Sequence, residues 1–140
     1  MNTAYLLLET AKRLKHQLNT ALSKEDTTAQ QWAVLEALDR LNSEADPITA
    51  ARIADAIDSD RQTTAAVVLR LADKGWLNRT PSPADKRAVV LELTAAGKAK
   101  GTALKAVAGR TLTTFLQPLP DAAQHQLAAG LTKLLEENHD

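Results

Sequence analysis

The chain has 140 residues, a length that fits one domain with a hydrophobic core of its own. Its 17 acidic residues balance 17 Lys plus Arg, and a net charge of zero argues weakly against a nucleic-acid partner. The absence of cysteine excludes disulfides, thiolate catalysis, cysteine-based zinc sites and thiol redox sensing. With no apolar run near 18 residues and no visible secretory signal, we expect a cytosolic protein that does not bind a membrane.

Two helices are predicted at the start of the chain. Over residues 3–22, apolar side chains recur at helical spacing on one face, namely Leu7, Ala11, Leu14, Leu18 and Ala21. Thr28 precedes Gln31 by three residues, which predicts a capping box. Behind it, a second apolar stripe begins at Trp32 and marks the second helix.

The next predicted element is a helix-turn-helix. Thr49 follows a proline and is a predicted N-cap for a short helix that contains Ile53. Ser59 with Gln62 predicts a capping box for another helix, and Gly75 lies where a C-cap glycine belongs. The link between the two helices is only about three residues long, which is typical of this motif.

A β-hairpin follows. Residues 76–80 and 88–93 have the alternation of strands, and the Pro- and Ser-containing segment between them predicts a turn. Its tip carries three charged residues and no apolar cover: Asp85, Lys86 and Arg87. A hairpin directly after a helix-turn-helix is a wing, whose tip is either solvated or in contact with something negatively charged.

Two more helices complete the chain. Thr94 is the predicted cap of a helix that runs to about residue 116, where Pro118 and Pro120 end it. Asp121 with Gln124 predicts a further capping box. One face of the final helix carries Leu127, Leu131 and Leu134. The fold class is therefore mainly α with a small β-hairpin wing (α+β).

The charges are unevenly distributed along the chain. Residues 23–46 carry six acids and two bases, whereas residues 61–90 carry two acids and six bases. The six bases are Arg61, Arg70, Lys74, Arg79, Lys86 and Arg87. Positive charge is thus concentrated in the second helix of the helix-turn-helix and in the wing.

Three stretches of the chain, TAQQWAVLEAL, ITAARIADAID and the long run from Arg61 to Ala99, resemble the MarR family of bacterial transcriptional regulators. The most specific part is the wing, where Asp85-Lys86-Arg87 is followed at the family's spacing by Leu93-Thr94 and then Gly97. The resemblance implies a homodimer whose N- and C-terminal helices intertwine. It also implies one recognition helix in the major groove and one wing in the minor groove for each subunit.

On this basis the chain is a single domain over residues 1–140. Its winged-helix DNA-binding lobe spans about residues 28–93, and residues 1–22 and 94–140 form a helical dimerisation region. The expected function is that of a repressor that binds a pseudo-palindromic operator on double-stranded DNA. The candidate DNA contacts are Thr49, Ser59, Arg61, Gln62, Thr63, Ala65, Ala66, Arg70, Asp85, Lys86 and Arg87.

Several of these residues also have ordinary structural interpretations. Thr49 is first a helix cap, Arg87 could be a solvated wing residue, and Asp85 is expected to orient Arg87 or another base rather than meet phosphate. Many relatives carry an arginine in the exposed middle of the recognition helix, where this chain has Thr63 to Ala66. Base recognition here must then depend on neighbouring polar residues or on DNA shape.

Family members commonly hold a small-molecule effector between the dimerisation helices and the DNA-binding lobe. A small aromatic or amphipathic effector is expected here, with Trp32 and His16 as candidate contacts, although Trp32 as core and His16 as a solvated residue remain open. No cofactor and no metal site within one chain are expected, because His125 and His139 lie fourteen residues apart on one helix and cannot share an ion. A metal site between two subunits remains open.

Two other classes of function compete with this one. A winged-helix module that binds a protein would lack the steep salt dependence of phosphate contacts. An enzyme is disfavoured by the residue inventory, which has no cysteine nucleophile, no nucleotide-binding glycine motif and three scattered histidines. We therefore expect no catalytic activity.

Overall fold

In the computed structural model, residues 2–138 are described, and they form six α-helices and one two-stranded antiparallel sheet. In chain order the elements are α1 (Thr3–Ser23), α2 (Ala29–Leu41), α3 (Ala50–Ala56), α4 (Arg61–Asp73), β1 (Leu77–Pro81), β2 (Val89–Leu93), α5 (Ala95–Leu116) and α6 (Asp121–Glu137). The predicted order of helices and strands is confirmed.

Three of the predicted helix caps are present. Thr28 Oγ1 accepts the N–H of Gln31 at 3.0 Å, and the Gln31 side chain accepts the N–H of Thr28, which completes the capping box of α2. Thr49 accepts the N–H of Arg52 at the start of α3. Thr94 accepts the N–H of Gly97 at 2.9 Å at the start of α5. Each cap satisfies a backbone donor that has no partner within its own helix.

The predicted cap of α4 at Ser59 is wrong. The helix begins one residue later, with Asp60 as the N-cap, whose Oδ1 accepts the N–H of Thr63 at 2.7 Å. A carboxylate is the stronger acceptor, and it also interacts favourably with the positive end of the helix dipole. The Ser59 hydroxyl instead accepts a hydrogen bond from the Gln30 side chain on α2.

The predicted capping box at Asp121 is wrong for a different reason. Pro120 is the N-cap of α6, its φ of −60° fits an extended entry to the helix, and Asp121 is already the first helical residue. The Gln124 side chain reaches back and donates to the carbonyls of Leu116 and Leu119, each at 3.0 Å. The glutamine thus closes the corner between α5 and α6.

The hydrophobic core joins every element except α6. Its fully buried members include Leu22 of α1, Leu35 and Leu38 of α2, Ile53 of α3, Leu71 of α4, Leu77 of β1, Leu91 of β2 and Leu104 of α5. Helix α6 has no buried residue. The apolar faces of α6 and of the first half of α1 are therefore left outside this core.

One polar side chain lies in the core without a partner. Thr64 on α4 is 0% exposed, and its hydroxyl makes no hydrogen bond within the described residues. Burial of an unpaired hydroxyl costs about 1–3 kcal/mol, whereas valine has the same branched shape and no polar atom. Thr64→Val should therefore raise the free energy of unfolding by about 1 kcal/mol, measured by urea denaturation. A loss of stability would show that the hydroxyl has a partner.

Candidate nucleic-acid interface

The helix-turn-helix is formed by α3, residues 57–60 and α4. The turn reverses the chain at Asp58, whose φ of 52° lies in the left-handed region that asparagine and aspartate tolerate better than most residues. The N–H of Ser59 then donates to the carbonyl of Ala54 at 2.9 Å. Four residues link the helices, one more than the sequence predicts.

Helix α4 has one buried face and one exposed face. The buried face carries Thr64, Val68 and Leu71. The opposite, exposed face carries Arg61, Gln62, Ala65, Ala66, Leu69 and Arg70. The candidate contacts of α4 other than Thr63 therefore lie together on a surface that is accessible to a partner. Leu69 belongs to the same face and was missed by the sequence analysis, which considered only polar residues and small alanines.

Thr63 has a second role at the start of α4. Its backbone N–H and its hydroxyl both donate to the carboxylate of Asp60, at 2.7 and 2.8 Å. These two hydrogen bonds, the backbone one first, hold the pKa of Asp60 below its ordinary value. Because the folded-state pKa is lowered, the stabilisation by this carboxylate is present at neutral pH and is lost as the pH falls through that lowered pKa.

The wing is a hairpin with an internally bonded tip. Ser82 is buried, and its hydroxyl accepts the N–H groups of Ala84 and Asp85 at 3.3 Å each. The N–H of Ser82 donates to the carbonyl of Ala88, which closes the loop below the tip. These hydrogen bonds hold the backbone of the tip in one conformation, from which the charged side chains project.

Asp85 orients Arg87, as the sequence analysis expects. Its Oδ1 accepts the backbone N–H of Arg87 at 3.0 Å and lies 3.5 Å from the guanidinium Nε. The Arg87 side chain is nevertheless 93% exposed. The hydrogen bond from its N–H fixes the backbone at Arg87, and the exposed guanidinium is accessible to a partner.

The wing and the helix-turn-helix are joined by hydrogen bonds and packing. The N–H of Leu91 in β2 donates to the carbonyl of Ile48, immediately before α3, at 2.9 Å. Both residues are buried in the common core. The N-cap of α3, Thr49, follows directly. The position of the wing is thus fixed relative to the helix-turn-helix.

One of the six basic residues in the 61–90 segment has a structural role. The Lys74 ammonium donates to the carbonyl of Asp26 and, at 3.0 Å, to the side chain of Gln31. It also lies 4.6 Å from the centre of the Trp76 ring, within the range of a cation–π interaction. Lys74 therefore links the end of α4 to the α1–α2 turn. Fewer than six of these basic residues are then available to bind a partner.

The candidate effector residues do not lie together in a described cavity. Trp32 packs against the core, with its indole N–H buried and without a hydrogen-bond partner among the described residues, and His16 is exposed on α1. A cleft of about 530 Å³ opens nearby between α1, α2 and the helix-turn-helix turn, and its lining includes Lys15, Asn19 and Ser59. The sequence offered no signal for this cleft, since its walls come from three separate segments.

A second, apolar groove lies between α1, α5 and α6. Its volume is about 460 Å³ and its walls are almost entirely hydrocarbon. Its lining includes Leu7 and Leu14 of α1, Phe115 of α5, and Leu127 and Leu131 of α6. The apolar stripes predicted for the first and last helices therefore face each other across an open groove.

Within residues 2–138, no three His, Asp or Glu side chains are grouped so that they could hold a metal ion, and His139 lies outside the described residues. None of the described helices is long and apolar enough to cross a membrane.

Comparison with known proteins gives consistent matches. A family model described as MarR family matches residues 25–88. An uncharacterised HTH-type transcriptional regulator of Bacillus subtilis, YdcH, is 25% identical over 132 residues, which cover 94% of this chain and 88% of YdcH. The multiple antibiotic resistance protein MarR of Escherichia coli is 37% identical over 82 residues, which cover 59% of this chain and 54% of that protein.

Solved structures extend the match to the whole fold. The crystal structure of wild-type apo MarR from E. coli superposes with a TM-score of 0.84 at 27% identity, covering 96% of this chain and 98% of MarR. A Staphylococcus aureus MepR–DNA complex has a TM-score of 0.78 at 23% identity over 99% of each chain, and this likeness concerns the fold alone. The helix-turn-helix, the wing with its Asp85–Arg87 pair and these matches together support the assignment of the chain to the MarR family of winged-helix transcriptional regulators.

Proposed function

We propose that the protein is a homodimeric repressor that binds a pseudo-palindromic operator and is released from it by a small molecule. The observation that carries this proposal is the pairing of an exposed α4 face with an exposed, oriented Arg87 in one lobe. In this role α4 enters the major groove and the wing tip enters the adjacent minor groove, where a narrow A·T-rich segment attracts a guanidinium. No step of the proposal is catalytic.

The apolar groove between α1, α5 and α6 supports the homodimer. Leu127, Leu131 and Leu134 of α6 are 39%, 42% and 50% exposed, although they form one face of the helix. A second copy would bury such a face, and the two-fold symmetry of the pair would match an inverted repeat. We assign dimerisation to residues 1–22 and 94–140 and DNA binding to about residues 28–93.

The cleft beside the helix-turn-helix supports an effector site. Lys15 offers a positive charge and Asn19 a side-chain amide, the latter already accepting the N–H of Ala29 at 3.1 Å. The carboxylate of Asp58 also lines the cleft, so a small amphipathic molecule with a polar group fits this chemistry, with Trp32 and His16 as neighbours whose roles remain predictions. The effector would bind more tightly to a dimer geometry that does not fit DNA than to the DNA-bound geometry. A ligand with equal affinity for both geometries would not change their populations. Because the chain has no cysteine, release would not involve thiol oxidation.

The salt dependence of DNA binding tests the proposed function. Each phosphate contact lowers the slope of log affinity against log salt by about 0.9. We expect a steep negative slope for the wild-type protein on duplex DNA despite its net charge of zero. A flat plot from low to physiological salt would contradict DNA binding and would favour a protein partner for the winged helix.

The Arg87→Ala variant tests the role of the wing in the same assay. Loss of one contact in each subunit should weaken binding to operator and to unrelated DNA alike and make the slope less steep by about one unit per subunit. Arg40→Ala is the matched control, because Arg40 is an exposed arginine in the last turn of α2, outside α4, the wing and the residues assigned to dimerisation. An unchanged affinity and slope for Arg87→Ala would show that the wing tip is only solvated.

A further inference from the structure

Leu69 is an exposed leucine in the middle of the α4 surface. Leu69 is 49% exposed, and it follows Gln62 by seven positions and Ala66 by three. Residues at such spacing lie above one another on a helix, so these three side chains form a ridge opposite the buried Thr64, Val68 and Leu71. Ala65 is exposed beside Ala66 and Leu69. We call these three apolar residues, Ala65, Ala66 and Leu69, the apolar ridge.

The surroundings of the apolar ridge indicate what it contacts. A single exposed leucine is ordinary on a protein surface. Here, however, exposed arginines lie at both ends, Arg61 at the start of α4 and Arg70 directly after Leu69. An apolar strip edged by guanidinium groups is complementary to a groove that has apolar groups on its floor and phosphates along its rims. The major groove of DNA has this character wherever thymine 5-methyl groups line its floor.

On the basis of the proposed DNA-binding function, we propose that the apolar ridge recognises thymines by their 5-methyl groups, with Leu69 as a specificity-determining residue. From Gln62 to Leu69 the helix rises about 10 Å, since each residue adds 1.5 Å. That length spans about three base pairs at 3.4 Å each. Gln62 has the side-chain amide that pairs with adenine, so each half-site should combine an adenine with neighbouring thymines.

Replacement of thymine by deoxyuracil tests this inference, because uracil keeps every hydrogen-bonding group and lacks only the methyl. The full-length protein is titrated with operators, obtained by selection from random duplex DNA, in which each thymine is replaced singly. We expect affinity to fall about fourfold per contacted methyl group at one to three adjacent positions in each half-site. Replacements elsewhere should have no effect.

The Leu69→Ala variant assigns the effect to this side chain. At one position per half-site, the ratio of its affinities for the thymine and uracil operators should fall toward one. Arg87→Ala should bind both operators more weakly and keep the wild-type ratio. Helical circular dichroism checks that Leu69→Ala is folded, as expected for an exposed residue. Tight binding without any distinction between thymine and uracil, or full distinction by Leu69→Ala, would overturn the inference and leave the proposed function intact. Failure to bind any duplex would instead contradict the proposed function, and the inference with it.

Discussion

Leu127→Glu should convert the proposed dimer into a monomer and abolish operator binding. Leu127 lines the apolar groove between α1, α5 and α6, and it is 39% exposed in the single chain. A second copy that fills the groove would bury an unpaired carboxylate, which costs several kcal/mol. We therefore expect the dimer dissociation constant to rise by at least about 100-fold, equivalent to 2.7 kcal/mol. Analytical ultracentrifugation measures the association state, and a duplex-binding titration measures the loss of affinity.

The monomer should remain folded, because α6 contributes no buried residue to the core. Val89→Glu is the control for an added carboxylate: Val89 is also an exposed apolar residue, at 36%, and it lies on β2, outside the residues assigned to dimerisation. This variant should stay dimeric. Should Leu127→Glu remain a dimer with unchanged DNA affinity, the groove would not be the dimer interface.

Gly97→Ala should destabilise the protein by about 3 kcal/mol or more, at the upper end of the range for overpacking. Gly97 lies in the first turn of α5, where that helix crosses the chain at Trp76. A Cβ atom at residue 97 would lie 1.9 Å from the Trp76 carbonyl oxygen and 2.8 Å from its carbon. The obstacle is backbone, and the same carbonyl accepts the N–H of Thr94 at 3.1 Å, so it cannot swing aside. Urea denaturation monitored by helical circular dichroism measures the loss.

Gly101→Ala is the control for helix propensity. Gly101 lies one turn further along α5, and apart from its chain neighbours and the adjacent backbone of α5 no atom lies within 4 Å of the Cβ position. Alanine there should stabilise the helix by about 0.5–1 kcal/mol. The two substitutions are chemically identical, but their changes in the free energy of unfolding should have opposite signs because the surroundings of the two glycines differ. Equal effects at the two positions would show that α5 does not pass this close to Trp76.

Features of the fold that depend on residues close together in the sequence can be predicted from the sequence. The caps at Thr28, Thr49 and Thr94 depend on hydrogen bonds over three residues, and the structure confirms all three. The error at Ser59 arose because Asp60, which is also suited to the N-cap position, follows it. The error at Asp121 arose because α6 begins with that residue, after Pro120, and no side chain caps it. Sequence pattern alone does not decide between a serine and the aspartate that follows it.

The same distinction applies to the candidate site. The contact between Asp85 and Arg87 spans two residues, and it was expected from the sequence. The partners of Lys74 are 48 and 43 residues away, so its structural role appears only in the fold. The cleft that includes Lys15 and Asn19 likewise depends on how α1 packs beside α2 and the turn. Leu69 was missed because only polar residues and small alanines were considered as DNA contacts on α4.

Selection of bound sequences from random double-stranded DNA would show whether this chain is a sequence-specific dimeric DNA-binding protein. We expect enrichment of an inverted repeat whose two half-sites are centred about one helical turn apart, 10–10.5 base pairs, or a multiple of it. Recovery of a single unrepeated half-site would contradict the dimer. Recovery of DNA with no enrichment over the starting pool, at salt where the protein is folded, would contradict sequence-specific binding itself.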